Sequence, residues 1–263
     1  MTSGIPFYTA DVFTGEMFGG NQLAVFPTAG GLDTPLMQAI ARELNLPETV
    51  FVFPPDDPAR TTRLRIFTPR TELPFAGHPT LGAAFVLASI GEVALDGSST
   101  SVVFEEGVGP ISVTIRAEGG RPTYCTLTVA RLPEFGPPPP PVDEIAAVLS
   151  LHPDDIRVDG FYPFAEATGR RGADIRARMF APELGIAEDP ATGAAAAALA
   201  GYLAATLPPG NGTLRWIVDQ GIEMGRPSRL HVECDRDGER IMAVRVGGSA
   251  VMVAEGTLAV PST

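Results

Sequence analysis

The chain has 263 residues, 44% of them apolar, and a formal net charge of −12. That balance supplies core for one large or two ordinary domains, and it excludes a general binder of nucleic acid or anionic membrane, both of which need a basic surface. Its cations are all arginine, so lysine Schiff-base chemistry, pyridoxal phosphate attachment and a P-loop lysine are excluded together. Residues 5–13 read as a strand, and Gly19-Gly20-Asn21 as a tight turn, with glycines suited to positive φ, into a strand at 22–26. Asp33 caps a helix with Pro35 at its first position, and Leu36, Met37, Ile40 and Leu44 share one face before Pro47. Glu48 opens the β-branched and aromatic run 48–53, a strand with a carboxylate at its mouth. Leu64 and Ile66 alternate with Arg63 and Arg65 on the next strand, which leads through Pro69 and Pro74 to an apolar helix. Residues 101–104 and 111–116 form a hairpin, and 121–131 another strand.

The five prolines at 137–141 make a stiff spacer, followed by a short helix at 142–149 with Asp143 and Glu144 in its first turn. Strands at 161–165 and 175–180 feed a second apolar helix that ends near 203–207, before Pro208. Strands at 214–219, 229–234, 241–246 and 250–255 complete an α+β chain. No basic-then-apolar leader is visible and no apolar run reaches membrane-spanning length, so the expected location is cytoplasmic with Cys125 and Cys234 reduced. His78, His152 and His231 lie far from each other and from the cysteines, without metal-ligand spacing.

The two apolar helices belong to a duplication. His78-Pro79-Thr80-Leu81-Gly82-Ala83-Ala84 is echoed by Asp189-Pro190-Ala191-Thr192-Gly193-Ala194-Ala195, and Arg65-Ile66-Phe67-Thr68-Pro69 upstream is echoed by Arg178-Met179-Phe180-Ala181-Pro182. The pattern places Pro79 and Pro190 at first helical positions, with His78 and Asp189 as caps. Helices without a polar face require enclosure, so two lobes are expected, each a sheet around a central helix. Two helix N-termini facing one cleft would grip a small anion.

Seven ordered stretches resemble the PhzF family of phenazine-biosynthesis-like isomerases: Asp11-Val12-Phe13-Thr14, Gly20 to Phe26, Asn45 to Phe51, Phe67-Thr68-Pro69, Glu72 to Gly82, Glu188 to Gly193 and Gln220 to Ser228. The resemblance implies the diaminopimelate-epimerase-like fold: two pseudo-symmetric lobes, each a barrel-like, mostly antiparallel sheet around a helix. It divides the chain into an N-terminal lobe at 1–117, a C-terminal lobe at 118–247, and a terminal strand within 248–263 returning to the first lobe. It implies a homodimeric isomerase without metal or cofactor, acting on a small anionic molecule. By motif, Glu48 matches the family's acid/base, and His78 and Asp189 the polar groups flanking the substrate. Asn21, Gly77, Pro79, Thr80, Gly193 and Ala194 match the substrate-binding surroundings. Two departures stand out. Ala194 occupies a position where many members carry serine, and the chain between Asp159 and Phe161 lacks a strand and helix expected there, so the second lobe reads as abbreviated.

Taken singly, these residues have plainer readings. A Glu before a strand is usually solvated, His78 alone is a cap or core histidine, and Asp189 alone is an N-cap worth about 1 kcal/mol. Neither cysteine falls at a helix start, against a two-cysteine racemase. Arg226 and Arg229 read as structural loop residues. The expected function is therefore proton movement within a small carboxylate-bearing metabolite. Epimerisation at one centre, with Glu48 and Asp189 on opposite faces, is the second reading, and a non-catalytic binding protein retaining the fold is the third.

Overall fold

The computed structural model describes residues 2–134, 141, 158–159, 162–167, 172–181 and 186–261. The proline run, apart from Pro141, the helix expected at 142–149 and the junction after Asp159 lie outside them. The first half comprises β1 (Thr2–Val12), β2 (Asn21–Phe26), α1 (Thr34–Leu44), β3 (Glu48–Phe53), β4 (Thr62–Phe67), β5 (Glu72–Leu73), α2 (Gly77–Ser89), β6 (Ser99–Glu106), β7 (Gly109–Glu118) and β8 (Arg121–Thr128). The second comprises β9 (Val158–Asp159), β10 (Tyr162–Glu166), β11 (Ile175–Ala177), β12 (Met179–Ala181), β13 (Ile186–Asp189), α3 (Gly193–Thr206), β14 (Gly212–Gln220), β15 (Ser228–Asp237), β16 (Arg240–Gly248) and β17 (Ala250–Pro261). The strand expected over 175–180 is broken at Arg178, whose N–H turns to the Pro163 carbonyl.

A 15-stranded sheet runs β17-β1-β2-β3-β4-β6-β7-β8-β16-β15-β14-β11-β10-β9, with β5 beside β4, while β12 and β13 form a separate hairpin. Most pairs are antiparallel. One exception builds the site: β2 and β3 are parallel, with Leu23 opposite Glu48. A parallel pair needs a crossover, and α1 supplies it. Asp33 caps α1 by accepting from the Leu36 N–H at 2.9 Å, Pro35 sits at the second rather than the first position, and Asn45 ends the helix in the left-handed region. Met37, Ile40 and Ala41 of α1 pack on Phe26, Phe51 and Phe67, covering one face of the sheet. Its other face meets α2, so β3 is buried on both sides and carries an almost unbroken apolar run.

Both apolar helices form, but their starts differ from the expectation. Helix α2 begins at Gly77 with Ala76 as cap, which places His78 and Pro79 inside the first turn. Helix α3 begins at Gly193 with Thr192 as cap, so Asp189 and Pro190 precede it. First-turn N–H groups have no intrahelical partner, so proline is tolerated at several positions there. The Asp189 side chain does not cap the helix. It accepts hydrogen bonds from Asn21 and Thr192 instead, and the chain bends at Pro190 before the helix begins. Enclosure also differs. Gly77 to Ala88 of α2 are all buried, whereas Ala194, Ala198 and Ala205 of α3 are exposed, an arrangement that alanine tolerates at little cost. No described helix is long and apolar enough to cross a membrane.

The two helix starts abut. A Cβ added to Gly77 would lie 3.0 Å from the Gly193 Cα and 3.1 Å from the Ala194 N, both backbone atoms that cannot rotate away. Gly77→Ala is therefore expected to force the two halves apart and destabilise the fold by about 1–3 kcal/mol. Thermal unfolding reads this, and an unchanged melting temperature would show that the halves do not need this approach.

Candidate active site

Three elements converge where the helix starts meet. The parallel register delivers Glu48 to the end of β3 beside β2, α2 supplies His78 in its first turn, and β13 ends on Asp189. Asn21, the first residue of β2, ties them together. Its Nδ2 donates to Asp189 Oδ1 and to the Ala191 carbonyl, both at 2.8 Å, and approaches His78 Nδ1 at 3.1 Å. All four side chains are buried.

The contacts determine the imidazole tautomer. Asn21 Nδ2 cannot accept, so the His78 Nδ1 that faces it is the unprotonated nitrogen, and Nε2 carries the hydrogen, 3.2 Å from the Gln22 carbonyl. His78 Nε2 also lies 3.3 Å from Glu48 Oε2. This approach is not an ion pair, because burial drives the His78 pKa down to about 3, against a smaller upward effect of the Gln22 carbonyl, and the ring is neutral. Glu48 Oε2 has no aligned hydrogen-bond partner.

The two carboxyls are held differently. Burial raises Glu48 well above the usual carboxylate range, and the negative charge of Asp189 raises it further. Burial also lifts Asp189, to about 6, but the Thr192 hydroxyl and the Asn21 amide donate to it and favour its charged form. Of the two acids Glu48 therefore holds its proton more strongly, while the donors on Asp189 favour its charged form. A buried carboxyl with a raised pKa of this kind is a candidate for proton transfer.

Of the substrate-binding expectations, Gly77 and Gly193 form the abutting backbone, Pro79 is buried in the same turn, and Ala194 is exposed just beyond. Thr80 is not brought to Glu48, His78 and Asp189. Its hydroxyl lies 2.7 Å from the Ala76 carbonyl and 2.6 Å from Glu106 Oε1. Sequence reasoning missed a supporting network on the Asp189 side. Gln220 Nε2 donates to the Asp189 carbonyl at 2.7 Å and to Thr192 Oγ1 at 3.1 Å, and Tyr162 donates to Gln220 Oε1 at 3.0 Å. Gln220 and Thr192 both lie in family-like stretches, which was the available signal. Arg226 donates to Asp11 Oδ1 at 2.5 Å and to the carbonyls of Gly19 and Gly20, and Arg229 pairs with Asp219, so both arginines are structural. Among the described residues no group of His, Cys, Asp and Glu is arranged to hold a metal.

A family model described as "Phenazine biosynthesis-like protein" matches residues 10–157 and 141–256. An uncharacterized isomerase of Mesorhizobium japonicum is 38% identical over 295 residues, covering 94% of this chain and 96% of that protein. The trans-2,3-dihydro-3-hydroxyanthranilate isomerase of Pseudomonas aeruginosa is 33% identical over 281 residues, covering 95% and 98%. The fold is also that of the Bacillus anthracis phenazine biosynthesis protein of the PhzF family, at a TM-score of 0.85 and 23% identity over 97% of this chain and 99% of that one. A predicted epimerase of Pseudomonas aeruginosa superposes at a TM-score of 0.75 with 29% identity, covering 97% and 99%.

Asp189→Asn removes the charge that raises Glu48, so the Glu48 pKa should fall from its parent value, as read by carboxyl carbon NMR. An unmoved Glu48 would show that the two acids do not interact. The His78 ring should show no protonation between about pH 5 and 9 in a nitrogen NMR titration, because the pKa is depressed to about 3. Folding then sets a protonation cost: the unfolded ring titrates near about 6.5, so the neutral-ring contribution is present above that pH and is lost as pH falls toward 3.

Proposed function

The chain belongs to the phenazine biosynthesis-like (PhzF) family and is an isomerase of that type, and on that premise we propose that Glu48 moves a proton between two carbons of a small carboxylate-bearing molecule. The observation that carries this reading is the Glu48 carboxyl itself, buried, with a bare Oε2 and a raised pKa, beside a neutral imidazole and a charged aspartate. In its ionised form Glu48 takes a proton from one carbon, and the electron pair left behind spreads into the conjugated system of the substrate. The same carboxyl then returns the proton to another carbon, so no redox partner is needed. The N–H groups at the starts of α2 and α3 hold the substrate carboxylate, and the neutral ring of His78, held by Gln22, flanks the substrate beside Glu48. Trans-2,3-dihydro-3-hydroxyanthranilate, named for the Pseudomonas aeruginosa relative, is the first compound to offer.

Epimerisation is the second reading, favoured by the presence of two interacting buried acids where one-centre inversion needs an acid and a base. Solvent deuterium separates the two. Isomerisation places label at a new carbon, whereas epimerisation places it at the original one.

We also propose a homodimer. Strand β17 is 12 residues long and pairs with β1 along one edge, and among the described residues its other edge has no strand. Long open edges are commonly covered by a second copy. A monomer by light scattering at micromolar concentration overturns this.

Glu48→Gln keeps size and shape but cannot carry the proton, so turnover and deuterium incorporation should fall by about 100-fold or more while the melting temperature stays near the parent value. Near-parent exchange in this variant would move the role to Asp189 or His78. In the parent enzyme kcat/KM should rise with pH toward a plateau above the raised Glu48 pKa, because the base must be ionised. In Asp189→Asn that rise should shift to lower pH.

A further inference from the structure

Asn21 reaches Asp189 across 168 residues of chain, and both ends of that hydrogen bond are held by one short stretch. The turn 221–227 links β14 to β15, with Gln220 just before it and Arg226 near its end. Gln220 holds the aspartate end. Its Nε2 donates to the Asp189 carbonyl at 2.7 Å and to Thr192 Oγ1 at 3.1 Å, and the Thr192 hydroxyl donates in turn to Asp189 Oδ2.

Arg226 holds the asparagine end. Its Nε donates to the Gly20 carbonyl at 2.8 Å, and its Nη2 to the Gly19 carbonyl and to Asp11 Oδ1, both at 2.5 Å. The Gly20 carbonyl belongs to the peptide group that continues into Asn21, and the Gly20 N–H donates to the Pro227 carbonyl at 3.1 Å. Both polar groups of Gly20 are thus fixed by consecutive residues of the turn. Glycine at φ +60° has no side chain to restrain it, so these bonds set the direction in which the chain enters Asn21.

The turn keeps the spacing between these two anchors. Gly221 has φ +72°, and a Cβ there would lie 2.5 Å from both the Arg226 and the Pro190 carbonyl oxygens. The Arg226 N–H closes the turn on the Gly221 carbonyl at 3.0 Å. Asp11 steadies the other side, because it is buried and its second oxygen accepts from the Phe18 N–H at 2.7 Å. An arginine that served only as an ion pair would need Asp11 alone. Two of the three contacts of Arg226 go instead to the backbone just before Asn21.

We propose that Arg226 is a positioning residue for the isomerase, an inference whose effect on turnover rests on the proton-transfer reading above. Through Gly19 and Gly20 it sets Asn21, whose two Nδ2 hydrogens are engaged by Asp189 Oδ1 and the Ala191 carbonyl. A shift of Asn21 withdraws a donor that favours the charged form of Asp189, and it moves the amide away from His78 Nδ1. Two of the groups that surround Glu48 are then displaced together, although Arg226 itself holds only Asp11, Gly19 and Gly20.

Arg226→Lys keeps a positive charge beside Asp11, so no buried carboxylate is stranded, but it lacks the Nε–H that holds Gly20. The chain has three asparagines, Asn21, Asn45 and Asn211, so isotope labelling of asparagine gives three side-chain amide pairs by nitrogen NMR, assigned with Asn45→Ser and Asn211→Ser. In Arg226→Lys the Asn21 amide hydrogens should exchange with solvent at least about tenfold faster, while the Asn45 and Asn211 pairs keep their parent rates. With trans-2,3-dihydro-3-hydroxyanthranilate as the probe, kcat should fall about tenfold or more and KM stay within about threefold. If Arg226→Lys does not fold, Asp11→Asn combined with Arg226→Gln removes both charges and is read in the same way. Parent exchange at Asn21, equal acceleration of all three pairs, or faster Asn21 exchange with an unchanged kcat would each overturn the proposal. A parent enzyme without turnover counts instead against the proton-transfer reading, and the Asn21 exchange rate then decides this one.

Discussion

The constraint on which this molecule depends is the meeting of two helix starts through glycine. Gly77 and Gly193 come so close that a methyl group on either would press on the other's backbone. Two bundles of unpaired N–H groups with like partial charge are thereby pushed together, an arrangement that is unfavourable unless negative charge sits between or beside them. Asp189 and Glu48 lie at this point, and one of them is ionised. The positive helix ends and the buried acids therefore need each other, and a substrate carboxylate would meet the same field.

Around that junction the polar side chains form a chain of single obligations. Asn21 joins the start of β2 to Asp189, Ala191 and His78; Thr192 and Gln220 hold Asp189 from the other half; Gln22 fixes the proton on the imidazole. Every one of these groups except Glu48 Oε2 and Asn21 Oδ1 is matched. An unmatched acceptor costs free energy in the resting protein. Its position at the proposed proton carrier is where such a cost is most readily offset by the incoming substrate.

Much of this was legible in the sequence because it rests on local rules. The Asp33 cap, the strand opening at Glu48 and the two helices without polar faces follow from residue chemistry within a few positions, and the structure has all of them. The helix starts were displaced because proline permits several first-turn positions, and the deciding contact, Asn21 to Asp189, spans 168 residues of chain. Tyr162 and Gln220 were not found for the same reason: each is an ordinary strand residue until tertiary packing sets the two hydroxyl and amide groups against the Asp189 segment. The parallel register of β2 and β3 was likewise hidden, since nothing in either strand alone states its direction relative to the other.

Strand β1 is paired with β2 on one side and with β17 on the other, Thr2 lying opposite Pro261. During synthesis the first strand therefore emerges long before one of its two neighbours exists. Its edge stays open until β17 has left the ribosome, and the first half can pack on α2 only with that seam unclosed. Such end-to-end pairing makes folding slow and late, and it gives chaperones a defined edge to shield. The same closure sets Thr2 beside Pro261, so a short linker joining these two positions, with the chain opened in an exposed turn, would convert a pairing between distant strands into a local hairpin.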